Sequence, residues 1–198
     1  MRLAFLTTLT MTAFAANSVL NRMAVEGGHA DAGSFAVIRV LAGAMTLVLL
    51  AVAQGRQLQF TSRRRLLGAG TLALYMVGFS IAYRSLDAGL GALILFGTVQ
   101  LTMFSAAALY GPAPALRQIA GALVAFGGLF LVLAPTGASG TDPLGAACMI
   151  AAGFGWGLYS LAGRTEPDAL AATAANFSLA LPLTLLVMTA SALQVSLQ

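Results

Sequence analysis

Three polar side chains and one tryptophan lie within stretches that are otherwise almost entirely apolar. Asn17, Arg39 and Gln100 each interrupt such a stretch, and Trp156 lies near the middle of another. A centrally placed arginine costs roughly 2.5–3.5 kcal/mol in hydrocarbon, so groups of this kind face a bundle interior or a water-filled path. A guanidinium can pair with a carboxylate, and an amide can both donate and accept hydrogen bonds. These residues are therefore candidates for the path of a small polar solute.

Each candidate also has a structural interpretation. Arg39 could snorkel towards the lipid headgroups, or pair with Asp31 or Asp87 instead of a substrate. Asn17 and Gln100 could join helices through hydrogen bonds worth roughly 0.6–2 kcal/mol each. Both interpretations stay open at this point.

Two aromatic residues complete the set of substrate-path candidates. Trp156 lies away from the interfacial belt where tryptophan is common in membrane proteins, which is compatible with a cavity lining or with a packed core. Tyr83 closes an apolar stretch beside Arg84, where a local ion pair with Asp87 favours a structural role.

The composition indicates that these candidates lie in a membrane. Of the 198 residues, 59% are hydrophobic and 8% are charged, and the mean hydropathy is +0.90, whereas about a quarter of the residues of a soluble domain are charged. The net charge of +4 comes from ten scattered arginines without lysine, a pattern that does not suggest nucleic-acid binding. Cys148 lies in an apolar stretch and has no second cysteine to pair with. We expect an all-α membrane protein, a bundle of transmembrane helices in a lipid bilayer.

About seven stretches are long enough to span a bilayer, which needs about 20 apolar residues. They are Leu3 to Val25, Ser34 to Ala53, Leu66 to Leu86, Gly89 to Tyr110, Leu116 to Ala134, Leu144 to Gly163 and Ala169 to Leu193. The turn between the third and fourth is so short that these two helices must be antiparallel. The first stretch also resembles a secretory signal with small residues at Ala13 and Ala15, but it continues to Val25 without a break.

The arginines are distributed unevenly between the two sides of this bundle. Alternating the spans places seven on one side: Arg2, Arg56, Arg63, Arg64, Arg65, Arg117 and Arg164. The positive-inside rule then predicts a cytoplasmic N-terminus. The triplet 63–65 is interpreted as a topology anchor on anionic lipids.

The sixth stretch reads like a second copy of the first. Residues 13–17 align with residues 153–157, and the second and seventh stretches both begin after an acidic residue, Asp31 and Asp168. Because five helices separate the two copies, successive copies enter the membrane from opposite sides, as in the inverted repeats of many secondary transporters. We predict a first repeat over residues 1–135 (helices 1–5) and a partial second repeat over residues 143–198 (helices 6–7).

A pattern spread over the chain resembles the EamA-type transporters of the drug/metabolite transporter superfamily. It comprises Ala15-Ala16-Asn17-Ser18, Phe35 with Arg39, Tyr83-Arg84-Ser85-Leu86, Gln118-Ile119-Ala120-Gly121, Gly127-Gly128, and Gly153 to Gly157 with Trp156. The resemblance implies ten helices in two inverted five-helix repeats, a central cavity, the bacterial inner membrane, and export of small metabolites such as amino acids. Helices 8 to 10 are then expected to be missing, so that the chain is expected to be a fragment or a truncated gene product with an incomplete second repeat.

Other functions fit the residues less well. The only histidine is His29, and the sequence contains neither an HExxH nor a CxxC motif, so we expect no enzyme activity, no metal and no cofactor. The alternative to a transporter is a non-transporting membrane scaffold or assembly subunit, in which the polar residues only join helices. Homo-oligomerisation is left open, and the absence of Asp and Glu from the spans favours transport without proton coupling.

Overall fold

A computed structural model describes residues 3–13, 16, 32–111, 114–133 and 142–196, which form seven helices and contain no strand. The helices are α1 (Leu3–Ala13), α2 (Ala32–Ala53), α3 (Arg63–Ala82), α4 (Ala88–Tyr110), α5 (Leu116–Leu133), α6 (Pro143–Gly163) and α7 (Ala169–Ser196). The expected fold class, an all-helical bundle, is confirmed.

Five of these helices are long and apolar enough to cross a membrane: α2, α3, α4, α6 and α7. Their outer surfaces are apolar, as lipid requires. Leu49, Leu101 and Leu186 leave 67%, 68% and 69% of their surface exposed. The predicted first and fifth spans correspond to α1 and α5. Each of these two predicted spans continues into residues outside the described ranges.

The contacts fix the directions of the helices. Gly43 of α2 lies against Phe177 of α7, and a salt bridge joins Arg56 after α2 to Asp168 before α7, so these two helices are antiparallel. By the same reasoning α3 is antiparallel to α6 and parallel to α7, while α4 is parallel to α6. The predicted antiparallel course of α3 and α4 is confirmed, and both helices pack against α6.

This arrangement gives the bundle two distinct ends. At one end α2 and α6 finish and α3 and α7 begin. Five of the described arginines lie there, so we call it the arginine end: Arg56, Arg63, Arg64, Arg65 and Arg164. At the other end, the distal end, α3 is followed by the turn at Tyr83–Asp87 and Asp142 precedes α6.

Small residues allow α3 and α6 to approach very closely. A Cβ added to Gly78 would lie 2.7 Å from the carbonyl oxygen of Cys148, and one added to Gly155 would lie 2.7 Å from the carbonyl oxygen of Thr71. Close backbone approach through small residues is the usual way in which helices associate in lipid, where no hydrophobic effect drives them together.

Several helix boundaries differ from the prediction by a few residues, and the local sequence explains two of these differences. α3 begins at Arg63 instead of Leu66, because the Ser62 hydroxyl accepts a hydrogen bond from the Arg65 backbone N–H at 3.2 Å and caps the helix. α6 begins at Pro143, whose missing N–H costs nothing in the first turn. The arginine triplet is therefore the first turn of α3 and not a loop.

Candidate functional site

Aromatic side chains form a continuous surface across α3, α4 and α6. Tyr75, Phe79 and Tyr83 follow one another at four-residue spacing and so share one face of α3. Tyr75 and Phe79 have ring centroids 5.6 Å apart, and Phe79 and Tyr83 are 4.6 Å apart. Trp156 extends the surface, at 5.3 Å from Tyr75 and 5.7 Å from Phe96 of α4. We call these five residues the aromatic surface.

Arg39 of α2 lies beside this surface. Its guanidinium carbon is 5.4 Å from the centroid of Phe79 and 5.9 Å from that of Phe35. The guanidinium also acts electrostatically on the Tyr75 hydroxyl. Its Nη1 atom is buried and has no hydrogen-bond partner among the described residues.

Three of the predicted site residues therefore lie on or beside the aromatic surface: Arg39, Tyr83 and Trp156. Gln100 is half-buried and lies one helical turn after Phe96, hence on the same side of α4. Asn17 and Asp31 lie outside the described residues. Arg84 and Asp87 are both exposed, and the described residues contain no ion pair between them.

Sequence reasoning missed Tyr75, Phe79 and Phe96 as site residues, and it named Phe35 only within the family pattern, beside Arg39. Aromatic residues are ordinary constituents of apolar helices, so none of the four attracts notice alone. The signal that could have found two of them is the four-residue spacing that leads from Tyr75 through Phe79 to Tyr83.

Two ion pairs close the arginine end. Arg65 Nη2 is 2.9 Å from Glu166 Oε2, and these side chains are 12% and 10% exposed. Arg56 Nη1 is 3.0 Å from Asp168 Oδ2, with 47% and 33% exposure. Arg65 thus departs from the lipid-anchor interpretation of the triplet, because its guanidinium is held inside the bundle by Glu166, whereas Arg63 and Arg64 are exposed.

A small pocket opens between α3, α6 and α7 beside these ion pairs. Asn176 of α7 lines it and is 7% exposed. Its Oδ1 atom has no hydrogen-bond partner in the part of the chain that the structure describes. The Asn176 amide lies flat against Gly68, where a Cβ would lie 2.7 Å from its Nδ2. Glu166 and Arg64 line the outer part of the pocket.

A carboxylate also joins helices at the distal end. Asp142 accepts hydrogen bonds from the Ser85 hydroxyl at 2.6 Å and from the Gly145 N–H at 2.9 Å. These bonds stabilise the charged form and lower the pKa of Asp142, the Ser85 bond most. The Asp168 carboxylate accepts a hydrogen bond from the Ala171 N–H at 3.1 Å, and this bond together with Arg56 lowers the pKa of Asp168.

The fold and these contacts define a multi-pass helical membrane protein with polar and aromatic groups gathered inside its spans. The sequence profile of the EamA-like transporter family matches residues 1–134, and the chain belongs to this family of membrane transporters.

The chain is also 43% identical over 180 residues to the uncharacterized protein PA1977 of Pseudomonas aeruginosa. That alignment covers 91% of this chain and 62% of the relative, so the chain spans less than two thirds of the relative's length. No solved structure matches the chain.

Proposed function

We propose that the protein exports a small polar metabolite, for which the family suggests amino acids as an example, across the bacterial inner membrane by alternating access. Family membership supports transport in general. The observation that carries the proposal further is the position of Arg39, a charged group inside an apolar span that faces Tyr75 and Phe79 of another helix. Charged residues at such positions mark solute paths in membrane proteins.

Alternating access requires that the path be closed on one side while it is open on the other. Along α3, a buried apolar cluster that includes Leu72 and Met76 lies between Phe79 and the arginine end. Beyond it, Arg65–Glu166 and Arg56–Asp168 tie α2 and α3 to the segment between α6 and α7. The apolar cluster and the two ion pairs together support a state in which the solute path is closed at the arginine end.

The arginine end is proposed to face the cytoplasm, because arginine is enriched on that side of membrane proteins. Inverted repeats are part of the same proposal. They pair α2 with α7, and the antiparallel packing of these two helices at Gly43 and Phe177 is compatible with such a relationship.

A release experiment tests the proposed export. Cells that express the protein and cells that express the Arg39→Gln variant at equal membrane levels are loaded with a panel of labelled small metabolites. We expect faster release of at least one solute from the first culture. Equal release across the panel, with the variant altered only in stability or self-association, would favour the scaffold alternative.

A further inference from the structure

The geometry points to Arg39 and the aromatic surface as a binding site for an organic carboxylate with a flat apolar body. This assignment rests on the proposed function, since it names the class of solute that would occupy the path. It is narrower than the family-level expectation, because it favours an anion without an ammonium group over an amino-acid zwitterion.

The Arg39 guanidinium has hydrogen-bonding capacity left over. A guanidinium carries five N–H donors. The faces of Phe35 and Phe79 stabilise its charge but offer no lone pair. The Tyr75 hydroxyl can accept one of its hydrogen bonds, but Nη1 is buried without an acceptor among the described residues. A carboxylate is the group that meets a guanidinium with two parallel charge-assisted hydrogen bonds.

The charges around the site favour an anion over a zwitterion. Helices α2 to α7 contain no Asp or Glu. The described acidic residues all lie at helix ends, where Glu166 and Asp168 pair with arginines and Asp142 binds Ser85. Asp87 is exposed before α4. No carboxylate among the described residues therefore stands inside the bundle to pair with a solute ammonium.

The rest of the ligand is specified by what lies next to the guanidinium. Tyr75 is the common neighbour, since it interacts with Arg39 on one side and lies 5.3 Å from Trp156 on the other. Tyr75 and Trp156 are partly exposed, and Phe96 is 45% exposed. Aromatic rings in this arrangement offer faces and edges to a planar apolar group, so the ligand's ring would lie on this side and its carboxylate at Arg39.

The single tryptophan of the chain provides a direct assay, because Trp156 is itself part of the aromatic surface. The purified whole chain in detergent is titrated with 3-phenylpropionate, with its neutral amide, and with phenylalanine, while the tryptophan emission is recorded. We expect a saturable change with the carboxylate, and binding at least about tenfold weaker for the amide and for the zwitterion.

Variants then test the role of Arg39. Arg39→Gln should abolish the preference for carboxylate over amide, and Arg39→Lys should restore part of it, since lysine keeps the charge but loses the planar fork. Arg84→Gln removes an exposed arginine of the distal end and should change nothing. Matching unfolding temperatures establish that the variants are folded. The comparison of the three probes uses wild-type protein alone, so it does not depend on the folding of any variant.

The assignment is overturned if wild-type protein gives no saturable response to the carboxylate, or if amide or phenylalanine binds as tightly. It is also overturned if Arg39→Gln keeps the preference for the carboxylate. Binding is measured without a membrane, so it can be tested apart from transport. Carboxylate-selective binding together with no release from cells would contradict the proposed transport but not the binding site.

Discussion

Arg65 and Glu166 are 101 residues apart in the sequence and form a largely buried ion pair at 2.9 Å. The pair fastens the first turn of α3 to the short segment that connects α6 to α7. It is the more buried of the two ion pairs at the arginine end, and so it is the contact through which this end should be most sensitive to substitution.

Replacing either partner of this pair should destabilise the bundle. Arg65→Gln or Glu166→Gln leaves the other charge without its partner in a mostly buried position, which should cost about 1–3 kcal/mol. Thermal unfolding in detergent measures the effect. The exchanged pair, Arg65→Glu with Glu166→Arg, should recover a substantial part of the loss.

Arg63→Gln is the matched control, because Arg63 is exposed in the same helical turn. It should change the unfolding temperature little. If it destabilises the protein as much as Arg65→Gln does, the effect comes from the charge of the triplet as a whole and not from the Glu166 pair.

Because α3 and α6 are in close contact, replacing glycine by alanine should affect stability differently at two positions of α3. Gly78→Ala places a methyl group 2.7 Å from the backbone oxygen of Cys148. The helices must separate to accept it, at about 1–3 kcal/mol. Gly70→Ala, on the same helix, meets nothing within 4 Å and should be neutral or stabilising by up to about 1 kcal/mol. Equal unfolding temperatures for the two variants would contradict the packing described for α3 and α6.

Asp142 should make the stability of the distal end depend on pH in the acid range. Its pKa is lowered in the folded chain by Ser85 and the Gly145 N–H. Its contribution is therefore complete above the ordinary Asp pKa of about 3.9 and is lost as the pH falls through the lowered value. Unfolding temperatures of wild type and Asp142→Asn, measured from about pH 6 to pH 3, should converge at the acid end.

Ser85→Ala tests the main cause of that shift. Without the Ser85 hydroxyl the pKa of Asp142 should move back towards its ordinary value, so the loss of stability should begin at a higher pH than in wild type. A pH profile that is unchanged by this substitution would show that Ser85 does not control the ionisation of Asp142.

The proposed orientation can be read from the labelling of introduced cysteines. In a Cys148→Ser background, Gln57→Cys places a thiol at the arginine end and Asp87→Cys places one at the distal end, both at exposed positions. A membrane-impermeant maleimide added to intact cells should label only position 87, and position 57 only after permeabilisation. The reverse pattern would invert the proposed topology.

Hydropathy predicted the helices well because the length and apolar character of a span are local properties. The concentration of most described arginines at one end, with Arg84 at the other, was also predicted, since it depends only on alternating the spans. The start of α3 was not predicted correctly. Three adjacent charges prefer water, and the sequence pattern did not show that the Ser62 cap would draw them into the helix.

The site was only partly predictable for a physical reason. Arg39 and Trp156 stand out in an apolar sequence by their chemical type, whereas Tyr75 and Phe79 acquire their significance from what packs against them. The Arg65 to Glu166 contact joins residues from distant helices, and no local pattern distinguishes Arg65 from Arg63 or Arg64. Pairing across the bundle requires knowledge of which helices are neighbours.

The fit of Asn176 against Gly68 makes the identities of these two positions interdependent. A side chain at position 68 would occupy the space of the Asn176 amide, so a relative with alanine at position 68 should carry a smaller residue at position 176. Substituting both positions together should be tolerated better than substituting position 68 alone, and over evolutionary time the two sites would change as a unit.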